Sequence, residues 1–243
     1  MTMLSVNLNK IALLRNSRGR DYPNVVEFAE RFIALGVKGI TIHPREDERH
    51  ITRQDTYDLA VLLKNREDVE FNIEGYPSDD FLALVHELKP TQCTLVPDAP
   101  DQLTSDHGWD LSQSSDFLFG ICESLNTDNI RSAIFLDPDV SQVDQVPKTK
   151  AQRIELYTEA FANTYATEAH EDNFSRYEKA SLHAQILGIG VNAGHDLDLT
   201  NLKKFLSIEN ILEVSIGHAL TVESIEQGMD NVVAQYLSIC GTS

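Results

Sequence analysis

Apolar and polar positions alternate along this chain in blocks of two lengths. Short apolar runs of strand type recur eight times, and each is followed by a stretch with helical spacing. The strand-type runs are Leu4–Leu8, Gly39–His43, Val69–Glu74, Gln92–Val96, Ile130–Leu136, Arg153–Tyr157, Gly188–Asn192 and Ile211–Ile216. The first helical stretch, Pro23 to Leu35, has proline at its start and Gly36 just past its end, the expected asymmetry. Val25, Val26, Phe28, Ala29, Phe32 and Ile33 form its apolar face. Thr52 with Asp55 three residues on is an acidic variant of the capping box and opens a helix carrying Leu59, Leu62 and Leu63. Further helices are expected over Phe81–Leu88, Asp116–Leu125, part of Asp137–Thr149, Asn173–Leu187, Thr200–Leu206 and Val222–Ile239. Eight strand–helix units in order, with no glycine-rich first turn, predict a closed (β/α)8 TIM barrel with extra short helices in its loops. An open doubly wound sheet is the rival, but Gly188, Gly190 and Gly194 do not form a dinucleotide fingerprint. With no linker or low-complexity tract, residues 1–243 are read as one catalytic domain.

The polar residues carry the functional signal. The strands end in Asn7, His43, Glu74, Thr94, Asp137, Glu155 with Tyr157, Asn192 with His195, and Gly217 with His218. Apolar strands have no folding reason to finish this way repeatedly. A parallel barrel enzyme does, because its chemistry is assembled at the carboxyl ends of its strands.

Composition then removes several function classes. With 20 Lys and Arg against 38 Asp and Glu, the net charge is −18, which argues against a nucleic-acid or anionic-membrane surface. Small phosphorylated substrates stay open, since a few arginines and backbone N–H groups can bind a phosphate on an acidic protein. Cys93, Cys122 and Cys240 sit singly, so neither a disulfide framework nor a zinc pattern is expected. No apolar run reaches membrane-spanning length and no secretory leader is evident, so the chain reads as cytoplasmic.

Four constellations carry chemistry. His43-Pro-Arg45 through Arg49-His50 leaves strand 2 at the barrel mouth, with a histidine suited to proton transfer beside an arginine suited to a phosphate. Glu74 ends strand 3 on the same face as Glu70 and Asn72, so it points into the barrel, where burial raises a carboxyl pKa and suits it to acid–base work. Its structural alternative is an ion pair with a loop arginine. Gly190-Val-Asn192-Ala-Gly194-His195-Asp196 and Ile216-Gly217-His218 follow strands 7 and 8, where barrels commonly hold phosphate on backbone N–H groups. Asn7-Leu-Asn9-Lys10 followed by a polar loop with Arg15 and Arg18 offers anion contacts after strand 1. A Schiff-base role for Lys10 is disfavoured because its neighbours give no clear apolar pocket. The strand-1 His-x-His pair of metal hydrolase barrels is missing. His86, His170 and His183 are expected at the surface.

Several of these blocks resemble pyridoxine 5'-phosphate synthases. They are Val6–Gly19, Gly39–Ile51 with its His-Pro-Arg-Glu-Asp-Glu-Arg-His core, Asn72–Gly75, Leu95–Pro97, Val191–His195 and Ile216–His218, in order over almost the whole chain. The resemblance implies a barrel that condenses 1-deoxy-D-xylulose 5-phosphate with 3-amino-2-oxopropyl phosphate, without metal or organic cofactor. It implies His43 and Glu74 as proton acceptors and His195 as proton donor. It assigns Asn9, Lys10, Arg45, His50 and Thr104 to the deoxyxylulose phosphate. Asn7, Arg18, Asp196, Gly217 and His218 fall to the amino-oxopropyl phosphate. It also implies a homo-oligomer, octameric, and a loop closing over the mouth, either Pro97–Gln113 or Arg45–Arg49. Two departures stand out: many members carry Asp-His where this chain has Asn9-Lys10, and Gly where it has Asp196. The competing readings are another sugar-phosphate barrel enzyme, an aldolase or isomerase, and a catalytically silent phosphometabolite-binding barrel.

Overall fold

The computed structural model describes residues 1–98 and 105–241. Eight parallel strands close into a barrel in chain order: β1 (Met3–Asn7), β2 (Gly39–Ile42), β3 (Glu70–Gly75), β4 (Gln92–Leu95), β5 (Arg131–Leu136), β6 (Arg153–Tyr157), β7 (Gly190–Gly194) and β8 (Ile211–Ile216). Helices α1 (Asn9–Asn16) and α2 (Val25–Ala34) follow β1, α3 (Arg53–Leu63) follows β2 and α4 (Asp79–Leu88) follows β3. After β4 comes α5 (Leu111–Thr127), and after β5 the short α6 (Val140–Val143) and α7 (Val146–Thr149). The remaining helices are α8 (Glu159–Thr164), α9 (His170–Ile186), α10 (Leu202–Phe205), α11 (His218–Gln227) and α12 (Met229–Cys240). The TIM barrel expected from the sequence is therefore what forms. Among the described residues no helix is long and apolar enough to cross a membrane.

Strand alternation divides the side chains into two sets. Leu4, Val6, Ile40, Ile42, Ile73, Cys93, Leu95, Ile134, Leu136, Ile154 and Leu156 belong to one continuous apolar core shared with the helices. The alternate residues are mostly polar and hydrogen-bond to one another across the barrel. The Ser5 and Thr41 hydroxyls lie 2.7 Å apart, and Thr94 Oγ1 donates to Asn72 Oδ1 at 3.0 Å. Asn192 Nδ2 donates to Glu213 Oε2 at 2.9 Å. Many barrels fill their interior with branched apolar side chains. Here the hydrophobic driving force acts on the outer face, and the interior is held by satisfied polar groups. At the mouth, Val96, Phe135 and Tyr157 form a separate small apolar cluster.

The structure departs from the sequence expectations at several elements. The stretch after strand 1 is not a loop but the helix α1; the Asn7 side chain accepts from the Asn9 N–H at its entry, and Arg15 is buried on its inner face. Strand β7 starts two residues later than expected, because Gly188 adopts a left-handed φ of 76° in the turn that ends α9. The single last helix is two, α11 and α12, broken at Gly228 with φ 86°. His170 is not a surface residue: it is 9% exposed, packed edge-on to Tyr165 and against Phe161 and Phe174. The expected capping box forms, with Thr52 and Asp55 bonding reciprocally at the start of α3. All three cysteines are buried and free.

Candidate active site

The carboxyl ends of the strands surround a cavity of about 510 Å³. Its walls include Asn7, Asn9 and Lys10 after β1, His43, Arg45 and His50 after β2, and Glu74 on β3. Glu155 on β6, His195 and Asp196 after β7, and Gly217 and His218 after β8 complete it. Two predicted residues are not among them. Arg18 is exposed in the turn after α1, and Thr104 lies outside the described residues. A groove of similar size at the amino-terminal end of the barrel, lined by Arg131 and Arg153, contains none of the predicted set.

Each side chain is placed by its element. Asn9 Oδ1 accepts from the His43 N–H at 3.0 Å, tying the end of β1 to the end of β2. The Asn7 amide points to Glu74, with Nδ2 3.4 Å from Oε2. Gly217 lets β1 and β8 approach closely: a Cβ there would lie 3.0 Å from Asn7 Cβ and 3.1 Å from its carbonyl oxygen, tighter than ordinary contact. His195 and Asp196 both have left-handed backbones, with φ of 79° and 57°. Thr158 holds this strained turn by donating its hydroxyl to the Gly194 carbonyl at 2.6 Å and also to that of His195. Asn201 Nδ2 donates to the Asp196 carbonyl at 3.0 Å. The left-handed conformation at 196 is one that glycine adopts freely, and Asp is among the few other residues that tolerate it. The His195 ring packs edge-on to Tyr157, with centroids 5.0 Å apart.

The arginines divide their work. Arg15 pairs with Asp55 through both guanidinium branches, one of them Nη2 to Oδ2 at 2.7 Å, and donates to the His50 carbonyl at 3.2 Å. It is a structural strut between α1 and α3. Arg45 reaches the cavity and is oriented from behind by Asp98, with Nη1 2.9 Å from Oδ2. Ser105 donates to the same oxygen at 2.8 Å, and the other Asp98 oxygen is buried with no hydrogen-bond partner among the described residues. Among the described residues no ion pair of Glu74 with an arginine is seen.

Burial sets the protonation states. Glu74 is pushed well above the ordinary carboxyl range by desolvation, then by the nearby carboxylates of Glu155, Glu213 and Asp98. Glu155 rises to about 8 through burial and then Glu213. His43 falls well below its usual value through burial and then the Arg45 charge. His50 falls to about 4 through burial, with Arg45 and Lys10 behind it. His195 is also lowered by burial, but Asp196, Asp98 and Glu159 oppose the shift. At neutral pH the cavity therefore holds protonated carboxyls beside the neutral imidazoles of His43 and His50, which is a set of acids and bases built for proton transfer. Anion sites lie beside them: α1 and α11 begin at the cavity wall, so their first N–H groups and Lys10, Arg45 and His218 can hold phosphates. Glu155 was visible in the sequence as a strand end but not assigned to the site. Its position two residues before Tyr157 on the inward face was the available signal. Asp98 gave no such signal, because its role depends on a contact across 53 residues of chain.

A family model described as "Pyridoxal phosphate biosynthesis protein PdxJ" matches residues 4–242. Pyridoxine 5'-phosphate synthase of Porphyromonas gingivalis is 47% identical over 240 residues, covering 97% of this chain and 98% of the relative. That of Bacteroides thetaiotaomicron is 48% identical over 237 residues with the same coverage. Among solved structures, the Amycolatopsis orientalis BexX/CysO complex aligns with a TM-score of 0.66 at 13% identity, covering 99% of this chain and 88% of that one. Phosphoribosyl anthranilate isomerase from Thermus thermophilus aligns at 0.61 and 12% identity, covering 98% of this chain and 100% of that one. At such identities these two share the barrel fold and no more. The full-length match and the placement of its residues around one cavity make this chain a member of the PdxJ family of pyridoxal phosphate biosynthesis proteins.

Proposed function

We propose that this chain is a pyridoxine 5'-phosphate synthase of vitamin B6 biosynthesis. It condenses 1-deoxy-D-xylulose 5-phosphate with 3-amino-2-oxopropyl phosphate to give pyridoxine 5'-phosphate, phosphate and water. The observation that carries the reading is the convergence of His43, Glu74 and His195, from the ends of three strands, on one cavity that also offers two helix N-termini. Amine attack on a ketone, dehydrations, phosphate loss and ring closure need several proton donors and acceptors and two phosphate sites. A single-substrate isomerase would not need both sites.

In this reading Arg45, His50, Asn9 and Lys10 hold the deoxyxylulose phosphate, and Thr104 is assigned there by family resemblance. Asn7, the Asp196 N–H, Gly217 and His218 hold the amino-oxopropyl phosphate, and Arg18 is assigned there on the same ground. Neutral His43 takes the ammonium proton and so frees the amine to attack the ketone. Glu74 gives its proton to a departing hydroxyl. The carboxylate left behind is strongly basic because it is buried, and it next removes a carbon-bound proton. Glu155 serves beside it as a second neutral acid. His195, kept nearer its titrating range by three carboxylates, protonates the leaving oxygen. We also read the chain as a cytoplasmic homo-oligomer, octameric by resemblance. An apolar groove between α1, α2 and α11, with Tyr22 79% and Ile225 77% exposed, supports association.

Mass spectrometry of reactions with both substrates, and with each alone, tests the function. Product is expected only with both. Glu74→Gln and His195→Asn are expected to lower turnover by about 100-fold or more with unchanged melting temperature, as for loss of a general acid or base. Near wild-type rates in both variants would overturn these roles.

A further inference from the structure

We propose that Gly194 is a positioning residue: its missing side chain is the seat that holds the Glu155 carboxyl group at the reaction cavity. In the β6–β7 register Glu155 lies opposite Asn192, and Gly194 lies opposite Tyr157, one inward-facing position nearer the mouth. The Glu155 side chain therefore leans toward the mouth from its own level. A Cβ placed on Gly194 would fall well under 3.0 Å from Glu155 Oε1, a separation real Cβ atoms essentially never show. The next atoms it would meet, Glu155 Cδ at 3.4 Å and Ser215 Cβ at 3.6 Å, are compatible with ordinary contact or a small adjustment. Only the tip of one side chain occupies the space.

Other reasons for a glycine do not apply here. Gly194 is not among the glycines with positive φ, so backbone freedom does not require it. It does not line the cavity, so it is not there to admit a ligand. No backbone atom approaches its vacant Cβ position, in contrast to Gly217. Alanine at 194 would displace the carboxyl group while asking nothing of the backbone.

This rests on the acid role given to Glu155 above, and the test separates the two. Gly194→Ala, Glu155→Gln and the double variant are compared with wild type for turnover, substrate affinity by calorimetry, and melting temperature. Gly194→Ala is expected to lose about 100-fold in kcat, as for a displaced general acid, with little change in affinity. In the double variant the losses should not multiply, because both changes remove the same group. Turnover within about threefold of wild type, or multiplying losses, overturns the seat. If Gly194→Ala melts early, adding Glu155→Asp shortens the side chain that clashes and should restore the melting temperature; no recovery overturns it. A readout independent of turnover is the carboxyl carbon-13 titration of glutamate. The signal lost in Glu155→Gln should shift its midpoint by about one unit in Gly194→Ala. An unmoved midpoint overturns the proposal even if wild type makes no product, an outcome that would separately remove the synthase reading.

Discussion

Asp98 shows how one side chain can act on two functions. It is 2% exposed, it fixes the Arg45 guanidinium, and its charge also acts on Glu74 and His195. Truncating one partner of a buried charged pair leaves the other uncompensated, at a cost of about 3–5 kcal/mol. Here the freed partner faces the cavity, so part of the loss should appear in binding. Asp98→Asn is expected to raise the KM for deoxyxylulose phosphate by about tenfold or more, equivalent to roughly 1.4 kcal/mol. The KM for the aminoketone should change little. Steady-state kinetics varying each substrate in turn would show it, and equal changes in both constants would deny Arg45 its assigned phosphate.

At the scale of elements, the site depends on how α1 and α3 are joined. Lys10 sits on the first turn of α1, and His50 precedes the cap of α3. Arg15 links the two by pairing with Asp55 while donating to the His50 carbonyl. Asp55 in turn accepts from the Thr52 N–H at 2.8 Å, completing the capping box. Asp55→Ala therefore removes a cap and strands a buried guanidinium. We expect a loss of about 3–5 kcal/mol in denaturant unfolding, larger than a cap alone would give. A loss below about 1 kcal/mol would mean that solvent already screens the pair.

For the whole molecule, the polar barrel interior sets a pH dependence of stability. Glu213 is raised to about 7 and Glu155 to about 8 by burial, and Glu74 is likewise pushed well above the ordinary carboxyl range. A carboxyl whose folded pKa is raised binds its proton more tightly when folded. Its stabilising contribution is complete below the unfolded value near 4.5 and is lost as pH rises through the folded value. The melting temperature should therefore fall between about pH 5 and pH 9. On the acid side, His43 and His50 have lowered values, so their contribution is complete above about 6.5 and is lost as they are forced to charge. Glu213→Gln should flatten the decline between about pH 4.5 and pH 7, where the folded and unfolded states differ most in protons bound at this carboxyl. Scanning calorimetry across pH checks this, and an unchanged slope would place Glu213 in a wetter environment than the structure gives it.

The sequence alone determined the barrel, the order of its strands and most of the cavity. Those features are written in local periodicity: Leu4, Val6, Ile40 and Ile42 alternate with Ser5, Thr41 and His43, and such alternation fixes which face meets the helices. The inward direction of Glu74 followed from the same rule. Tertiary structure decided what depends on distant chain segments meeting. The helix α1 was hidden because its buried face includes Arg15, a residue that reads as solvated until Asp55 is found beside it. The burial of His170 required the aromatic cluster of α8 and α9 to assemble around it. The same holds for Asp98 behind Arg45 and for Glu155 in the space left by Gly194. Periodicity is a property of neighbours along the chain. An ion pair or a steric seat is a property of neighbours in space, and only the closed barrel brings those together.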